Sequence, residues 1–409
     1  MCKIKDCSLD KYENFENCIL HCKKDDWYDG RKKWGKSKDK IDKFLEKIKD
    51  VIYTKTESYK IDFQEYSQEE IVDELKEYKF EKVYFPPIKK NTNPFPALNQ
   101  GLAEENKLNI NFIECHFLGK IDFDCIVKAK DINFDNCYFY EDIEFKSNTF
   151  NHLFLFEKCI VHKKIEFQNI IFNGTTSFIE TSFNGDFDLV HSKFESLALF
   201  NDMKINKFKI DNTFFKDEAN FLNIKNKDEE KLESKNIDNR ETARIIKHSF
   251  EKQNNIIEAN KFYALEMQKK EKELKWNISD FSEKLVFMAH KISSNYSQDW
   301  ILSLLLLVFI TLTFNYFNNI LLSLVDVLVI FIFAFIVFIP RNILKFLLSM
   351  MIFLLYYFDN IDLDLFAKTI NPFSKISADI NISQLIIKII MAYLIYQFII
   401  SIRQNTRRK

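Results

Sequence analysis

Four residues near the start of the chain have side chains that bind zinc in other proteins: Cys2, Cys7, Cys18 and His21. Ten residues separate Cys7 from Cys18, and only two separate Cys18 from His21. Thiolate sulfur and imidazole nitrogen are ligands of tetrahedral structural zinc, and a short polar segment has little other means of building a core. Because protein ligands would fill all four positions, we predict a structural zinc site and not a catalytic one.

Two alternatives stay open for this segment. Cys22 follows His21 directly and could replace it as the fourth ligand. The cysteines could also be ordinary reduced thiols. The first fifteen residues contain no apolar run, so we expect no cleavable signal peptide. Everything before Trp300 is then expected in the cytosol, where disulfides are rare.

A regular repeat of phenylalanine occupies the middle of the chain, and the whole sequence has 43 Phe beside only 6 Gly. From Phe112 to Phe200 an apolar residue recurs every 11 positions, and a second series follows it five residues later, broken at Lys128. These spacings do not fit an α-helix, which would use intervals of three and four. We predict a coil that turns a corner every five or six residues and stacks each ring on the next coil.

Three cysteines within the repeat indicate the size of one coil. Cys115, Cys137 and Cys159 follow one another at equal intervals of two repeats. If one coil holds two repeats, these side chains form a ladder along one inner corner, a full coil rise apart. Metal ligands must converge on one point, so we predict packing and not metal binding for these three residues.

The triplets Ile121-Asp122-Phe123, Ile132-Asn133-Phe134 and Ile143-Glu144-Phe145 resemble the pentapeptide-repeat family, whose units carry an inward Leu or Phe at their centre. The resemblance covers residues 110–222 and implies a right-handed quadrilateral β-helix. The sequence departs from the family pattern by a sixth residue in every second unit, and by Ile where the family has a small residue. The spacing of Cys18 and His21 also resembles small N-terminal zinc modules on some members.

Some members of this family mimic DNA through a strongly acidic surface. Residues 111–222 contain 18 acidic residues and 12 lysines, a mild acidic excess with lysine throughout. The formal net charge of the whole chain is −1. These charges disfavour a DNA mimic and predict no nucleic-acid partner.

Helical segments are predicted on both sides of the repeat. Residues 36–55 and 67–77 have the apolar spacing of amphipathic helices, and four prolines then mark an extended connection. Residues 239–275 predict a helical hairpin with its turn at Asn254 and Asn255. We expect this hairpin to cap the open end of the solenoid.

Four apolar runs near the C-terminus predict an α-helical transmembrane domain, because each approaches the about 20 residues that cross a bilayer. The predicted spans are 300–317, 320–339, 343–358 and 380–402. Basic residues between the second and third spans and after the fourth fall on one side, as the positive-inside rule requires. We therefore expect a multi-pass protein of the inner (cytoplasmic) membrane with both termini in the cytosol.

Two charged residues fall inside the predicted spans, Asp326 and Lys388. In the four-span arrangement both enter from the same side and lie at similar depth. Charges inside a bilayer seek partners or face water. We predict that Asp326 and Lys388 form an ion pair; the alternative is that Lys388 reaches the interface and Asp326 lies within it.

The fold class predicted from these patterns is mixed: a pentapeptide-repeat β-solenoid, a helical hairpin and an α-helical transmembrane domain. The predicted parts are a Cys/His zinc-type module (1–35), a helical and extended connector (36–100), the β-solenoid (101–224), a charged linker with the helical hairpin (225–298) and the transmembrane domain (299–409).

Motifs for catalysis are absent from the sequence: the histidines are scattered, with no phosphate loop and no nucleophile–base spacing, so we predict no enzyme. We expect a membrane-anchored scaffold that contacts the lipid bilayer and presents a cytosolic solenoid to a protein partner or a second copy. The alternative is a membrane-permeabilising or ion-conducting effector whose cytosolic region senses or assembles.

Overall fold

A computed structural model describes residues 1–4, 7–24, 27, 37–48, 77–87, 109–120, 129–228, 232–317, 341–358, 363–376 and 382–406. The chain forms two compact units, residues 1–249 and 250–409. Within the described ranges, every strand lies in the first unit, and the second unit is helical.

The first unit contains a parallel β-solenoid of about five turns. In chain order its strands are β1 (Glu77–Glu81), β2 (Tyr84–Phe85), β3 (Asn109–Ile113), β4 (His116–Phe117), β5 (Asp131–Asp135), β6 (Tyr138–Phe139), β7 (Ile143–Lys146), β8 (Thr149–Phe150), β9 (Phe154–Glu157), β10 (Ile160–Val161), β11 (Ile165–Gln168), β12 (Ile171–Phe172), β13 (Thr176–Ser177), β14 (Ser182–Val190), β15 (Lys193–Phe194), β16 (Ala198–Leu199), β17 (Lys204–Asp211), β18 (Phe214–Phe215), β19 (Ala219–Asn220) and β20 (Lys225–Asn226).

These strands form three sheets in which all pairs are parallel. Sheet A runs β1-β3-β5-β9-β13-β16-β19, and sheet C runs β18-β15-β12-β8. Sheet B runs β2-β4-β6-β10-β14-β11-β7, with β17 and β20 continuing from β14. Strand β14 pairs with both β10 and β11 because it covers the positions of two shorter strands of the preceding coil.

The register confirms that one coil holds two repeats. Phe134 lies between Phe112 and Phe156 in sheet A, and Phe150 lies opposite Phe172 in sheet C. The rings of Phe112 and Phe134 stack with centroids 4.9 Å apart and planes 7° from parallel. Since side chains alternate between the two faces of a strand, every second residue points inward, and each buried Phe contributes about 1.5–3 kcal/mol.

The corners explain the period of the repeat. Two positions after the first-series residues from Phe134 to Phe200, the chain adopts a left-handed backbone conformation with φ between 51° and 60°, a region that Gly, Asn and Asp tolerate best. In the central coils these residues are Asn136, Ser147, Lys158, Asn169, Glu180, His191 and Asp202. Each repeat contributes one such left-handed corner, so each coil contains two of them.

The solenoid extends beyond the strict repeat at both ends. In the first coil Phe80 lies opposite Phe112, although their separation along the chain is longer than two repeats. In the last coil Phe194 lies opposite Phe215, one position short of two repeats, and the register shifts after Phe183. An inserted segment and a missing residue thus hide these two coils from a search for fixed spacing.

The N-terminal segment covers the open end of the first coil. The amide of Tyr84 in β2 donates to the carbonyl of Leu20 at 3.0 Å, so this segment continues the hydrogen bonding of the sheet. Helix α1 (38–48) buries Phe44 completely and packs its ring edge-on against Phe85, with centroids 5.9 Å apart. The rest of the predicted helix at 36–55, apart from residue 37, lies outside the described residues.

The opposite end of the solenoid is covered by residues 236–249. The carbonyl of Asn236 accepts from the amide of Phe208 at 2.8 Å, and Thr242 Oγ1 donates to the carbonyl of Ile210 at 3.0 Å. Ser249 Oγ donates to the carbonyl of Ala219. These bonds use groups that would otherwise form an open sheet edge, a common site of aggregation.

The remaining helices are α2 (Arg240–Lys252), α3 (Ile256–Glu273), α4 (Phe281–Ser294), α5 (Trp300–Phe317), α6 (Arg341–Phe358), α7 (Leu363–Ile370) and α8 (Ile382–Thr406). The turn predicted at Asn254 and Asn255 lies between α2 and α3, where Asn255 Oδ1 caps α3 by accepting from the amide of Glu258. In the second unit α5, α6 and α8 enclose one apolar core with Leu306, Leu348 and Met391 at its centre.

The predicted multi-pass inner-membrane topology, with both termini cytosolic, is wrong on this structure. Among the described residues one helix, Gln384–Thr406, is long and apolar enough to cross a bilayer. The apolar stretches Trp300–Asn315 and Asn342–Phe353 are shorter than the about 20 residues required. Hydropathy cannot distinguish a span from a core helix, and both stretches contribute to the buried core. The predicted span at 320–339 lies outside the described residues.

Candidate metal centre

The structure brings Cys2, Cys7, Cys18 and His21 together, with all four ligand atoms within 4.8 Å of one another. Cys7 Sγ lies 3.7 Å from Cys18 Sγ, and His21 Nδ1 lies 3.5 Å from Cys2 Sγ and 3.2 Å from Cys18 Sγ. In a tetrahedron built on zinc–sulfur bonds of about 2.3 Å and zinc–nitrogen bonds of about 2.0 Å, neighbouring donors are about 3.5–3.8 Å apart. The cluster is close to that size.

Local backbone turns place these side chains. The amide of Cys7 donates to the carbonyl of Ile4 at 3.2 Å, and the amide of His21 donates to the carbonyl of Cys18 at 3.1 Å. The second turn sets the two closely spaced ligands side by side. The amide of Cys18 also points at Cys2 Sγ, 3.3 Å away, and an N–H aimed at sulfur favours the thiolate form.

The second ring nitrogen of His21 decides which nitrogen faces the sulfurs. Nε2 lies 3.1 Å from the carbonyl oxygen of Glu81 in β1. A carbonyl can only accept, so Nε2 carries the proton and Nδ1 presents its lone pair to the cluster. A backbone carbonyl in this position is typical of metal-bound histidine, where it orients the ring.

Cys22 does not join the cluster. Its side chain is buried, and its thiol donates to the carbonyl of Ile19 at 3.7 Å. The geometry therefore groups His21, and not Cys22, with the sulfurs of Cys2, Cys7 and Cys18.

Burial decides the protonation of the cluster without metal. It raises the pKa of Cys18 to about 12 and lowers the pKa of His21, so both groups are held neutral. A cation at the centre reverses this for the thiols, because metal binds the thiolate. Metal binding is therefore expected to release protons and to weaken in acid.

Lys24 lies beside the cluster and was not singled out from the sequence. It is fully buried, and its Nζ donates to the carbonyls of Leu20 and Cys22 at 3.1 and 2.9 Å. The ammonium lies 5.2 Å from the ring centroid of Trp27 and 4.9 Å from that of Phe44. Burial lowers the pKa of Lys24 to about 8, opposed by the sulfurs of Cys22 and Cys18.

The charge of Lys24 complements the predicted metal site. Three thiolates, one neutral imidazole and one divalent ion carry a net charge of −1. A buried charge without compensation is costly, and a nearby cation of opposite sign lowers that cost. No spacing rule identifies such a residue, because its role depends on what surrounds it after folding.

The second group of cysteines forms the predicted packing ladder. Cys115, Cys137 and Cys159 are fully buried, and each thiol donates to a carbonyl of the preceding coil, at 3.3, 3.3 and 3.4 Å. Thr181 takes the next rung and donates to the carbonyl of Phe156 at 2.7 Å. Burial raises the pKa of Cys115 and of Cys159, which keeps these thiols protonated and unreactive.

Of the predicted intramembrane pair, only Lys388 lies within the described residues. Its Nζ donates to the carbonyl of Asn371 at 2.5 Å, to the carbonyl of Lys368 and to Ser374 Oγ at 3.2 Å. These groups follow or end α7, where unpaired carbonyls and the helix dipole favour a cation. Asp326 lies outside the described residues, so the ion pair stays a prediction.

Comparison of the chain with protein-family models, with curated proteins and with solved structures found no match. Fold and site alone therefore define the class of protein. The chain combines a parallel β-solenoid, a Cys/His cluster close enough to bind a metal, and a helical unit with one candidate membrane-spanning helix among the described residues.

Proposed function

We propose that this protein is a membrane-anchored interaction scaffold whose β-solenoid presents a rigid surface to a protein partner or to a second copy of itself. Helix 384–406 supports the anchor, since its length and composition suit a bilayer. The observation that carries the scaffold is a row of aromatic and imidazole rings on the outer face of sheet B.

We call this set of rings the aromatic row; it consists of Tyr84, His116, Tyr138, Tyr140 and His162. The ring of His116 stacks between Tyr84 and Tyr138, at centroid distances of 4.2 and 4.6 Å. Tyr140 stacks on His162 at 4.9 Å, and its hydroxyl lies 3.3 Å from His116 Nδ1.

The aromatic row is organised for binding before any partner arrives. Three of its rings lie on parallel strands, and Tyr140 and His162 directly follow β6 and β10. Because the inner faces of these strands are close-packed, contact costs little side-chain entropy. Half-buried aromatic residues are enriched at the centres of protein interfaces. Another outer row of the same sheet is charged and internally paired, with Lys164 between Glu166 and Asp188 at 2.9 and 2.8 Å. Exposed ion pairs of this kind contribute little to binding.

The proposal predicts that removing one ring from the aromatic row weakens the binding of the partner. Full-length protein carrying Tyr138→Ala should retain its cross-linked partner, or its own second copy, about thirtyfold less well than wild type. Thr149→Ala, on the outer side of sheet C, serves as the matched control. Equal retention by Tyr138→Ala and wild type would exclude the aromatic row as the binding surface. Conductance through liposomes carrying the purified protein would instead favour the ion-conducting alternative.

We infer further that the solenoid is a right-handed quadrilateral β-helix of the pentapeptide-repeat type. Four strand segments per coil support this, as in β9, β10, β11 and β12. The inward Phe of most units, as in Phe156 and Phe167, also agrees with the family pattern.

We also propose that the Cys/His cluster binds zinc and that the metal is structural. The donor set of three sulfurs and one nitrogen suits this ion, and it leaves no position open for a substrate. Metal analysis of the full-length protein should find one zinc per chain in wild type and in Cys22→Ser. Cys18→Ser should lose it. If Cys22→Ser loses the metal and Cys18→Ser keeps it, the assignment of ligands is wrong.

A further inference from the structure

We infer that one edge of the second unit, near the candidate membrane-spanning helix, lies in the headgroup region of the bilayer. This inference rests on the proposed membrane anchor. The edge, called here the apolar edge, consists of five exposed side chains between α3 and the middle of α4: Trp276, Ile278, Phe281, Leu285 and Val286.

The exposure of these side chains is large for apolar residues. Ile278 is 99% exposed, and Trp276 and Val286 are each 64% exposed. Phe281 and Leu285 lie at helical positions i and i+4, so they share one side of α4, and Val286 lies about 100° further round the helix. The rings of Trp276 and Phe281 lie near each other, with centroids 6.3 Å apart. Large apolar side chains exposed together are typical of a site of contact with a protein or a membrane.

The other side of α4 is already occupied within the same unit. Ser294 Oγ donates to Gln397 Oε1 of α8 at 2.9 Å, and Ser293 Oγ lies 3.4 Å from the hydroxyl of Tyr393. Ile292 packs against the apolar core. These bonds attach the last turn of α4 to the helix that is long enough to cross a bilayer. Continuity with that helix favours lipid as the occupant of the apolar edge.

The polar groups around the apolar edge fit a lipid interface. Lys284 Nζ lies 5.0 Å from the ring centroid of Trp276 and donates to the carbonyl of Leu274 at 2.6 Å. Trp beside Lys is typical of helices that lie at the boundary between headgroups and acyl chains. Glu283 pairs with Lys270 at 3.4 Å, so acidic and basic groups alternate here. Binding should therefore depend on apolar area and not on anionic lipid.

Fluorescence quenching of Trp276 in proteoliposomes of zwitterionic phosphatidylcholine tests this inference. The contribution of Trp276 is the difference between wild type and Trp276→Phe, a substitution that keeps an aromatic ring. We expect lipid brominated near the headgroup to quench this component at least about twofold more than aqueous iodide does. Adding anionic lipid should leave the quenching by brominated lipid unchanged. Trp300→Phe, in α5, provides a comparison within the same unit.

The other outcomes are distinct. Stronger quenching by iodide would place Trp276 in water and overturn the inference. Shielding from both quenchers would mean that protein, such as a second copy, covers the edge, and would also overturn it. A chain that alkaline carbonate removes from the vesicles would refute the membrane anchor itself, which separates failure of the proposed function from failure of this inference.

Discussion

His21 Nε2 donates a hydrogen bond to the carbonyl oxygen of Glu81, 3.1 Å away, and thereby joins the Cys/His cluster to the first strand of the solenoid. Sixty residues separate the two along the chain. The neighbouring bond from the Tyr84 amide to the Leu20 carbonyl, at 3.0 Å, fixes the same junction. The Cys/His cluster and the first coil are therefore joined, and the order of one should depend on the other.

Removal of the metal should loosen the first coil selectively. A cation bound to Nδ1 would fix the imidazole ring of His21, and its removal would leave the hydrogen bond to Glu81 as the remaining restraint on that ring. Chelation is expected to increase amide hydrogen exchange at Phe80 and Phe85 by at least about tenfold. Amides of Phe167 and Phe172, in the middle of the solenoid, should keep their protection and serve as the internal control. A uniform loss of protection would contradict the coupling.

Replacement of Lys24 should weaken metal binding without removing a ligand. Lys24→Met keeps most of the apolar volume but deletes the buried charge beside the three sulfurs. We expect metal affinity to fall about 10–100-fold, the usual effect of changing an outer partner of a metal ligand. Competition with a chromophoric chelator measures it. Lys23→Met, at an exposed neighbouring position, should retain the wild-type affinity; equal losses in both variants would refute the role of Lys24.

Gly174 is required by close approach of two coils. A Cβ placed there would lie 2.0 Å from the carbonyl oxygen of His152, one coil earlier. Because backbone cannot move aside cheaply, Gly174→Ala should destabilise the first unit by about 1–3 kcal/mol, as overpacking does. Thermal unfolding measures the loss. Asn173→Ala, at the exposed neighbouring position, is the control and should shift the midpoint much less.

Lys158 occupies a left-handed corner that suits other residues better. Its φ is 53°, the same as that of Asn136 at the corresponding corner of the preceding coil. Asn tolerates this conformation, so Lys158→Asn should stabilise the first unit by about 0.5–1 kcal/mol, and Asn136→Lys should destabilise it similarly. The reciprocal pair can be compared by thermal unfolding. Changes of the same sign in both variants would show that the corner does not limit stability.

The cysteine ladder should make stability depend on alkaline pH. Burial raises the pKa of Cys159, so the folded state keeps a proton that the unfolded thiol loses above about pH 8.5. Stability from this group is complete below that pH and declines by about 1.4 kcal/mol per pH unit above it. Cys159→Thr introduces the residue type that occupies the next rung of the ladder, at Thr181. This variant should lose the decline of stability with pH that comes from Cys159. The midpoint of thermal unfolding between pH 8 and pH 10 measures the difference.

The repeating part of the fold could be predicted because its physics is local and periodic. Each ring of the series, such as Phe134, meets the ring two repeats away, so one rule applied coil after coil predicts the register. This rule does not predict the first coil, because an inserted segment lengthens the chain between Phe80 and Phe112. The rule does not predict the last coil either, because the interval between Phe194 and Phe215 is one residue shorter than two repeats. A fixed interval cannot reveal pairs that only folding brings opposite each other.

In the helical part, the sequence predicted the elements but not how they pack. Hydropathy identified the apolar helices that became α5, α6 and α8, but it could not tell which of them pack on one another. Leu306 and Leu348 are buried in a shared core, and one described helix remains long and apolar enough for a bilayer. The same composition serves both purposes, so length and partners decide between them.

For the metal centre, residue type and spacing by themselves determined which groups could bind: three thiols and an imidazole between Cys2 and His21. Only the tertiary structure decided that His21 and not Cys22 faces the sulfurs, that Nδ1 is the nitrogen presented, and that Lys24 supplies a buried positive charge. The reason is physical. Ligand identity is a property of single side chains, whereas their orientation and charge balance depend on β1, which contacts His21 through Glu81, and on α1, which contacts Lys24 through Phe44.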